Sequence, residues 1–118
     1  MTNAKVYAMT FARIYTALVQ KAERKGRTQA EVDTVICWLT GYDAAGLAAQ
    51  VNHASTLEDF FMNAPMIHPN APLIKGVICG IRVEDIEDPL MQNIRRMDKL
   101  VDELAKGKSM DKILRENP

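Results

Sequence analysis

Four carboxylates within five positions are the densest group of side chains that could do chemistry in this chain of 118 residues: Glu84, Asp85, Glu87 and Asp88. Carboxylate oxygens are the ligands that Mg²⁺ and Ca²⁺ prefer, yet the spacing is not that of a calcium loop and no histidine accompanies it. Asp88 stands directly before Pro89, which is typical of a helix start, and acids near that end favour the positive pole of the helix. We therefore interpret the cluster as a helix start and expect no metal.

The two histidines, His53 and His68, are fifteen residues apart and match no zinc spacing. We expect both at the surface. If the protein were a small hydrolase or transferase, its site would lie where the proline-rich loop 64–72 meets the acidic turn, with His68, Glu84 and Asp85 as the catalytic residues. Such a carboxylate would need its pKa raised by burial or by a like charge. No nucleophile pattern accompanies these residues, so the sequence favours a non-catalytic protein without a cofactor.

Both cysteines, Cys37 and Cys79, lie in apolar stretches, TVICWL and GVICGI. Free cysteine is among the most buried residue types, so we expect two buried free thiols. The first residues hold no apolar segment long enough for a signal core or a membrane span. These observations predict a cytoplasmic protein that does not contact a membrane.

The basic run KAERKGR joins two predicted helices and suggests a helix-turn-helix whose second helix begins after Thr28. Such a motif presents polar side chains from the start of that helix to DNA. Here Gln29, Glu31 and Asp33 hold that position, and two acids would repel phosphates. The whole chain also balances fifteen basic against fifteen acidic side chains. The sequence therefore argues against nucleic acid as a partner, although the overall charge balance is compatible with a local basic patch.

The proline-rich loop contains Pro65, Pro69 and Pro72, which exclude a regular helix there. Methionines and aromatic residues near this loop could line an adaptable groove or could pack in the core: Tyr42, Phe60, Met62 and Met66. Such residues are more often core, and we interpret them so.

A long amphipathic helix at about 89–106 is the element around which the others are expected to pack. Apolar residues recur on one side of it: Leu90, Ile94, Met97, Val101 and Leu104. Charged residues occupy the other positions: Arg95, Arg96, Lys99, Asp102, Glu103 and Lys106. We expect the charged face to be in water.

Local capping signals predict the remaining helices. They indicate starts after Thr28, Asp43, Thr56 and Ser109, and the capping box formed by Thr28 and Glu31 is the strongest of these signals. One further helix is predicted from Thr10 onwards by its apolar pattern. Residues 73–83 fit a helix or a buried strand, and we predict a helix because its neighbours are helical. The expected fold is a single all-α domain over 1–118, a compact bundle of six to seven helices. The alternative is an α+β fold with a small sheet from 4–8 and 74–82.

Four runs resemble a known bacterial family: FARIY, KAERKGRTQAEVD, WLTGY and GVICGIRVEDIEDPLMQNIRRMDKLVDELAKGK. The chain is similar over residues 5–115 to the domain-of-unknown-function family numbered twenty-two hundred. Its members often have proline where this chain has Thr16, which permits the first helix to continue here. The resemblance implies a small cytoplasmic bacterial protein and supplies no activity, cofactor or catalytic residue.

Three functions follow as hypotheses. The leading one is a non-catalytic helical interaction or regulatory domain, either a homodimer or bound to another protein. The alternative is the hydrolase or transferase with His68, Glu84 and Asp85. The third is the helix-turn-helix nucleic-acid binder.

Overall fold

The computed structural model describes residues 3–115, and over that range the chain forms seven α-helices and one short β-hairpin. The helices are α1 (Asn3–Tyr7), α2 (Phe11–Glu23), α3 (Gln29–Thr40), α4 (Ala44–Asn52), α5 (Leu57–Met62), α6 (Pro89–Ala105) and α7 (Met110–Ile113). The hairpin joins β1 (Val77–Ile78) to β2 (Ile81–Arg82), and 3₁₀ turns at Ala71–Leu73 and Val83–Asp85 flank it. None of the helices in this range combines the length and the apolar composition of a membrane-spanning segment. The predicted helical bundle is confirmed.

Side-chain caps begin most of these helices. A side-chain oxygen accepts a hydrogen bond from a first-turn N–H at each of the predicted starts except the last: Thr10, Thr28, Asp43, Thr56 and Asp88. Ser109 also precedes a helix, but its hydroxyl makes no such bond. The capping box of Thr28 and Glu31 is formed in both directions. The local chemistry of the sequence therefore sets where the helices start.

Helix α6 is the centre of the domain and packs against α2, α3, α5, α7 and the hairpin. Most of its apolar stripe is buried, together with Leu100: Ile94, Met97, Leu100, Val101 and Leu104. Phe11 from α2 and Phe60 from α5 stack with ring centroids 3.8 Å apart in the same core. The long amphipathic helix was thus correctly predicted in position and in its buried side.

The prediction that the charged face of α6 lies in water was wrong for Lys99, Asp102 and Glu103, while Lys106 is exposed as predicted. Asp102 and Glu103 are only 9 % and 5 % exposed, and Lys99 is mostly covered. Lys21 of α2 and Arg115 beyond α7 form ion pairs with Asp102 and Glu103, at 3.2 Å and 2.8 Å. Charged groups can be buried when they are paired in this way.

Residues 73–83 do not form the predicted helix. They form the antiparallel hairpin, with Val77 opposite Arg82 and Ile78 opposite Ile81. The turn between the strands places Cys79 and Gly80 at φ 53° and 77°, the left-handed pair that a two-residue hairpin turn requires. The alternative sheet from 4–8 and 74–82 was also wrong, because residues 3–7 form α1 and the strands pair within 77–82.

Candidate functional site

The residues predicted to be catalytic lie in separate surroundings. The imidazole of His68 stacks on Trp38 of α3, with ring centroids 4.1 Å apart, and its Nδ1 accepts a hydrogen bond from the Asn70 N–H. Glu84 accepts a hydrogen bond from the Gly76 N–H at 3.0 Å, which holds the pKa of Glu84 below its usual value. Asp85 is exposed. No hydrogen bond described within residues 3–115 joins His68 to either acid, and His53 is exposed. The catalytic role of His68, Glu84 and Asp85 stays a prediction.

The acidic turn before α6 works as a helix start. Asp88 accepts hydrogen bonds from the N–H groups of Leu90 and Met91, and from the hydroxyl of Tyr7 at 2.6 Å. The hydrogen bond from Tyr7 is the main reason why the pKa of Asp88 is lowered. Among the described residues, no three His, Cys, Asp or Glu side chains are grouped so that they could hold a metal ion.

Polar side chains at the start of α3 are bonded back into the protein. The hydroxyl of Tyr15 donates to Asp33 at 2.5 Å and accepts from the amide of Gln29 at 2.8 Å. Glu31 pairs with Arg27 at 2.7 Å. Burial and the bond to Asp33 raise the pKa of Tyr15 to about 12. These contacts favour a structural role for the residues that a recognition helix would direct at DNA.

The residues around the proline-rich loop divide into two groups. Tyr42 and Phe60 are buried, and the Tyr42 hydroxyl donates to the Phe60 carbonyl at 2.6 Å. Met62 and Met66 are 75 % and 61 % exposed. The aromatic pair therefore belongs to the core as interpreted, while the two methionines do not.

The cysteines also differ from the prediction of two buried thiols. Both are free, and Cys37 is partly buried, where burial raises the pKa of its thiol. Cys79 is exposed at the hairpin turn. Its Sγ lies 3.8 Å from a guanidinium nitrogen of Arg95 and 3.7 Å from a carboxylate oxygen of Asp98. The hairpin thus places a thiol against an ion pair on α6.

That ion pair borders a pocket between α1, α2 and α6, called here the α1–α2–α6 pocket. Its volume is about 270 Å³. Apolar side chains make up most of its wall: Val6, Met9, Ile14, Leu18, Leu57 and Met97. Arg95 and Asp98 supply the polar part of the lining. A concave, mostly apolar site with few polar groups is the usual form of a small-molecule site.

Arg95, which lines this pocket, has hydrogen-bonding capacity left over. Its guanidinium lies 3.6 Å from the carboxylate of Asp98 and also contacts the weakly accepting sulfur of Cys79. Its Nε is buried and has no hydrogen-bond partner within the described part of the chain. A buried donor without a partner is costly, so an acceptor placed there would be bound favourably.

Neither Arg95 nor Asp98 was predicted as a site residue: Arg95 was assigned to the face in water, and Asp98 was assigned to neither face. Each follows a buried residue of the stripe, Ile94 and Met97, so each lies at the edge of the apolar face. That position is a signal that could have identified them, because a residue at such an edge lies where apolar wall and solvent meet. The pocket itself also needs α1, whose position no local pattern predicts.

Comparison with known proteins supports the fold and adds no activity. A solved structure titled "Crystal structure of uncharacterized protein SP1917" is similar, with a TM-score of 0.91 and 48 % sequence identity over 98 % of this chain and 94 % of that chain. Among curated proteins, none matches. The family model described as "Uncharacterized protein conserved in bacteria (DUF2200)" matches residues 5–115. The chain therefore belongs to the DUF2200 family of bacterial proteins.

Proposed function

We propose that this protein is a non-catalytic binding domain that holds a small, mostly apolar molecule in the α1–α2–α6 pocket. The ligand carries one acidic or hydrogen-bond-accepting group that meets Arg95. The observation behind this proposal is the combination of an apolar wall with a guanidinium whose buried Nε has no partner among the described residues.

The volume of the pocket sets the size of the ligand. An apolar cavity of about 150 Å³ holds benzene, so the 270 Å³ of this pocket suits a molecule of about ten non-hydrogen atoms, the size of octanoate. At about 0.4–0.7 kcal/mol per atom, such a ligand would bind with a Kd of about 10 µM to 1 mM. This range is reasonable for a sensor or carrier of a small metabolite.

The polar edge sets the preference for the head group. The guanidinium of Arg95 can donate to a carboxylate, while Asp98 lies next to it and disfavours a second, unpaired anion. A monocarboxylate fits this balance because it can replace the long 3.6 Å contact of Arg95 with shorter charge-assisted bonds. An amine would meet the guanidinium as a like charge.

Titration of the protein with octanoate, 1-octanol and octylamine tests the proposal, with methyl NMR signals of Leu18, Ile94 and Met97 as the readout. Octanoate should shift these signals most strongly. Arg95→Met should weaken octanoate about tenfold and leave 1-octanol unchanged, because a hydrogen bond to a charged group contributes about 1.5–3 kcal/mol. Arg13→Met, on the exposed side of α2, is the matched control.

A second variant separates filling of the pocket from loss of the fold. Ala17 is exposed at the pocket edge, so Ala17→Phe should cover the entrance and abolish binding of all three probes while the circular dichroism spectrum is unchanged. Octanoate at millimolar concentration without any shift of the three methyl groups, or with an equal effect in the Arg13→Met control, would refute the proposal.

A protein partner or a second copy of the chain is a second candidate, and exposed apolar side chains on the hairpin favour it. Val77 and Ile81 are among the large apolar residues that the domain leaves exposed. Light scattering after gel filtration should then show a dimer that Val77→Thr and Ile81→Thr together convert to a monomer. A monomer at all concentrations, without a co-purified protein, would contradict this candidate.

We also propose that the protein acts in the cytoplasm. Its two cysteines are free, and unpaired thiols are typical of a reducing compartment. Fractionation of cells with an antibody against the protein should recover it with cytoplasmic markers, and recovery in the secreted fraction would contradict this location.

A further inference from the structure

A second concavity lies at the C-terminal end of α6 and the turn into α7, away from the pocket described above. Its volume is about 540 Å³. Four lysines line it together with Glu103 and Ser109: Lys99, Lys106, Lys108 and Lys112. We call it the lysine concavity.

The turn that carries Lys108 is held in one conformation. The Lys108 N–H donates to the Glu103 carbonyl and the Gly107 N–H donates to the Leu104 carbonyl, both at 3.1 Å, with Gly107 at φ 89°. These two hydrogen bonds form a common C-terminal helix cap in which glycine adopts the left-handed conformation. Arg27 then donates from its guanidinium to the carbonyls of Leu104 and Lys108, at 3.2 Å and 3.0 Å. The backbone of the concavity is therefore organised before any ligand arrives.

Positive charge exceeds negative charge in the lysine concavity. Its lining contains one carboxylate, Glu103, and Arg115 binds both oxygens of that group at 2.9 Å and 2.8 Å. The ammonium groups of Lys99 and Lys108 lie 4.0 Å and 3.6 Å from the same carboxylate. One negative charge thus faces three cations.

The other two lysines add to this excess. Lys106 pairs with Asp102 at 3.0 Å, but Asp102 is shared with Lys21 at 3.2 Å. Lys112 is exposed and forms no ion pair within residues 3–115. Asp111 lies beside it in sequence but is not part of the lining. Like charges held close together raise the free energy of the empty site, and an anion would lower it.

We propose that the lysine concavity binds a small molecule with two or more phosphate groups, of the pyrophosphate or nucleoside diphosphate class. Lysine is a common phosphate ligand because its ammonium group acts as a compact point charge with three donors. The hydroxyl of Ser109 makes no cap bond and is a further donor at the rim. The 540 Å³ volume exceeds what a single phosphate can fill. This proposal rests on different residues from the α1–α2–α6 pocket and does not depend on it.

Calorimetric titration of the full chain with pyrophosphate at low salt tests this site. The variant with Lys108→Gln and Lys112→Gln removes one half-buried and one exposed cation of the concavity, and the control with Lys5→Gln and Lys25→Gln removes two exposed cations elsewhere. The first variant should lose about tenfold or more in affinity, and the control should change less than about twofold. Orthophosphate should bind at least about tenfold more weakly than pyrophosphate. Affinity should fall as salt rises, because the contacts are between charges.

Two outcomes would overturn the proposal. The first is no heat of binding with pyrophosphate or adenosine diphosphate at low salt, or an equal loss in both double variants. The second is a single-stranded oligonucleotide that binds more tightly than either small molecule and loses its binding in the Lys108→Gln and Lys112→Gln variant, since the surface would then serve a nucleic acid. The Tm of both double variants is compared with that of the unchanged chain, and equal values show that the fold is intact.

Discussion

Replacing Glu103 with glutamine should destabilise the protein more than any other single charge removal on α6. Glu103 is 5 % exposed, and its carboxylate holds Arg115 by two hydrogen bonds with Lys99 and Lys108 within 4.0 Å. Without it, three cations face one another at the edge of the core. Removing one partner of a buried ion pair costs about 3–5 kcal/mol. Because the side chain of Arg115 retains 15 % exposure and can turn towards water, we expect about 3 kcal/mol.

The relative sizes of the destabilising effects distinguish this cluster of charges around Glu103 from a simple ion pair. Arg115→Gln leaves Glu103 with Lys99 and Lys108, so it should cost less, about 1–2 kcal/mol. The double variant should cost less than the sum of the two single variants by at least about 1 kcal/mol, because both changes remove the same interaction. Lys106→Gln changes a side chain that is mostly in water and should cost under about 0.5 kcal/mol.

Equilibrium unfolding in urea, with the same slope for all variants, gives these free energies. For a domain of this length, 3 kcal/mol corresponds to a fall in Tm of about 10 °C. The reasoning would be refuted if Glu103→Gln cost no more than Lys106→Gln, or if the effects of Glu103→Gln and Arg115→Gln were additive.

Three further predictions follow from single positions. Gly41→Ala should cost at least about 2 kcal/mol in urea unfolding, because a Cβ there would lie 2.8 Å from the backbone of the proline-rich loop. Gly26→Ala, at a similar positive φ but in open space, should cost only about 1 kcal/mol, and equal costs would contradict the steric argument. In the native protein, a disulfide reagent should label Cys79 quickly and Cys37 slowly, because Cys79 is exposed and the pKa of Cys37 is raised by burial; equal rates before unfolding would contradict this. The pKa of Tyr15 is raised from 10.0 to about 12, so its stabilising effect is complete below pH 10 and is lost as the pH rises to 12. Absorbance titration and unfolding between pH 9 and 12 should show this loss, and Tyr15→Phe should remove it.

Helix starts could be predicted because their chemistry is local. Thr28 and Glu31 exchange hydrogen bonds within one turn, and Asp88 caps a helix whose first residue is Pro89. Gly41 ends α3 at φ 82°, as a left-handed exit requires. Each of these signals involves residues at most a few positions apart, so sequence alone contains the whole interaction.

The hairpin could not be predicted in the same way. An apolar run of this length fits a helix or a strand, and the turn decides between them. Asparagine, aspartate or glycine usually holds the first left-handed position of such a turn, whereas this chain has Cys79 at φ 53°. A β-carbon in that conformation costs roughly 1–2 kcal/mol, which the burial of Ile78 and Val83 offsets. The deciding interactions are therefore tertiary.

The burial of charged residues on α6 could not be predicted for a related reason. The partners of Asp102 and Glu103 include Lys21 and Arg115, one far away along the chain and the other beyond the next helix. A charged face and a buried ion-pair layer have the same sequence pattern, and only the packing of α2 and α7 separates them. Both candidate sites use charged residues of α6. The apolar periodicity located the helix correctly, but it led to the prediction that the whole charged face lies in water.

The two candidate sites on α6 should act independently. Arg95 and Glu103 are eight residues apart, which is about 12 Å along a helix. The linings of the two sites have no residue in common. Arg95→Met should therefore leave pyrophosphate binding unchanged, and Lys108→Gln with Lys112→Gln should leave octanoate binding unchanged. If either change weakened both ligands equally, the variants would be acting through the fold, because two local sites on a rigid helix cannot lose affinity together through their own contacts.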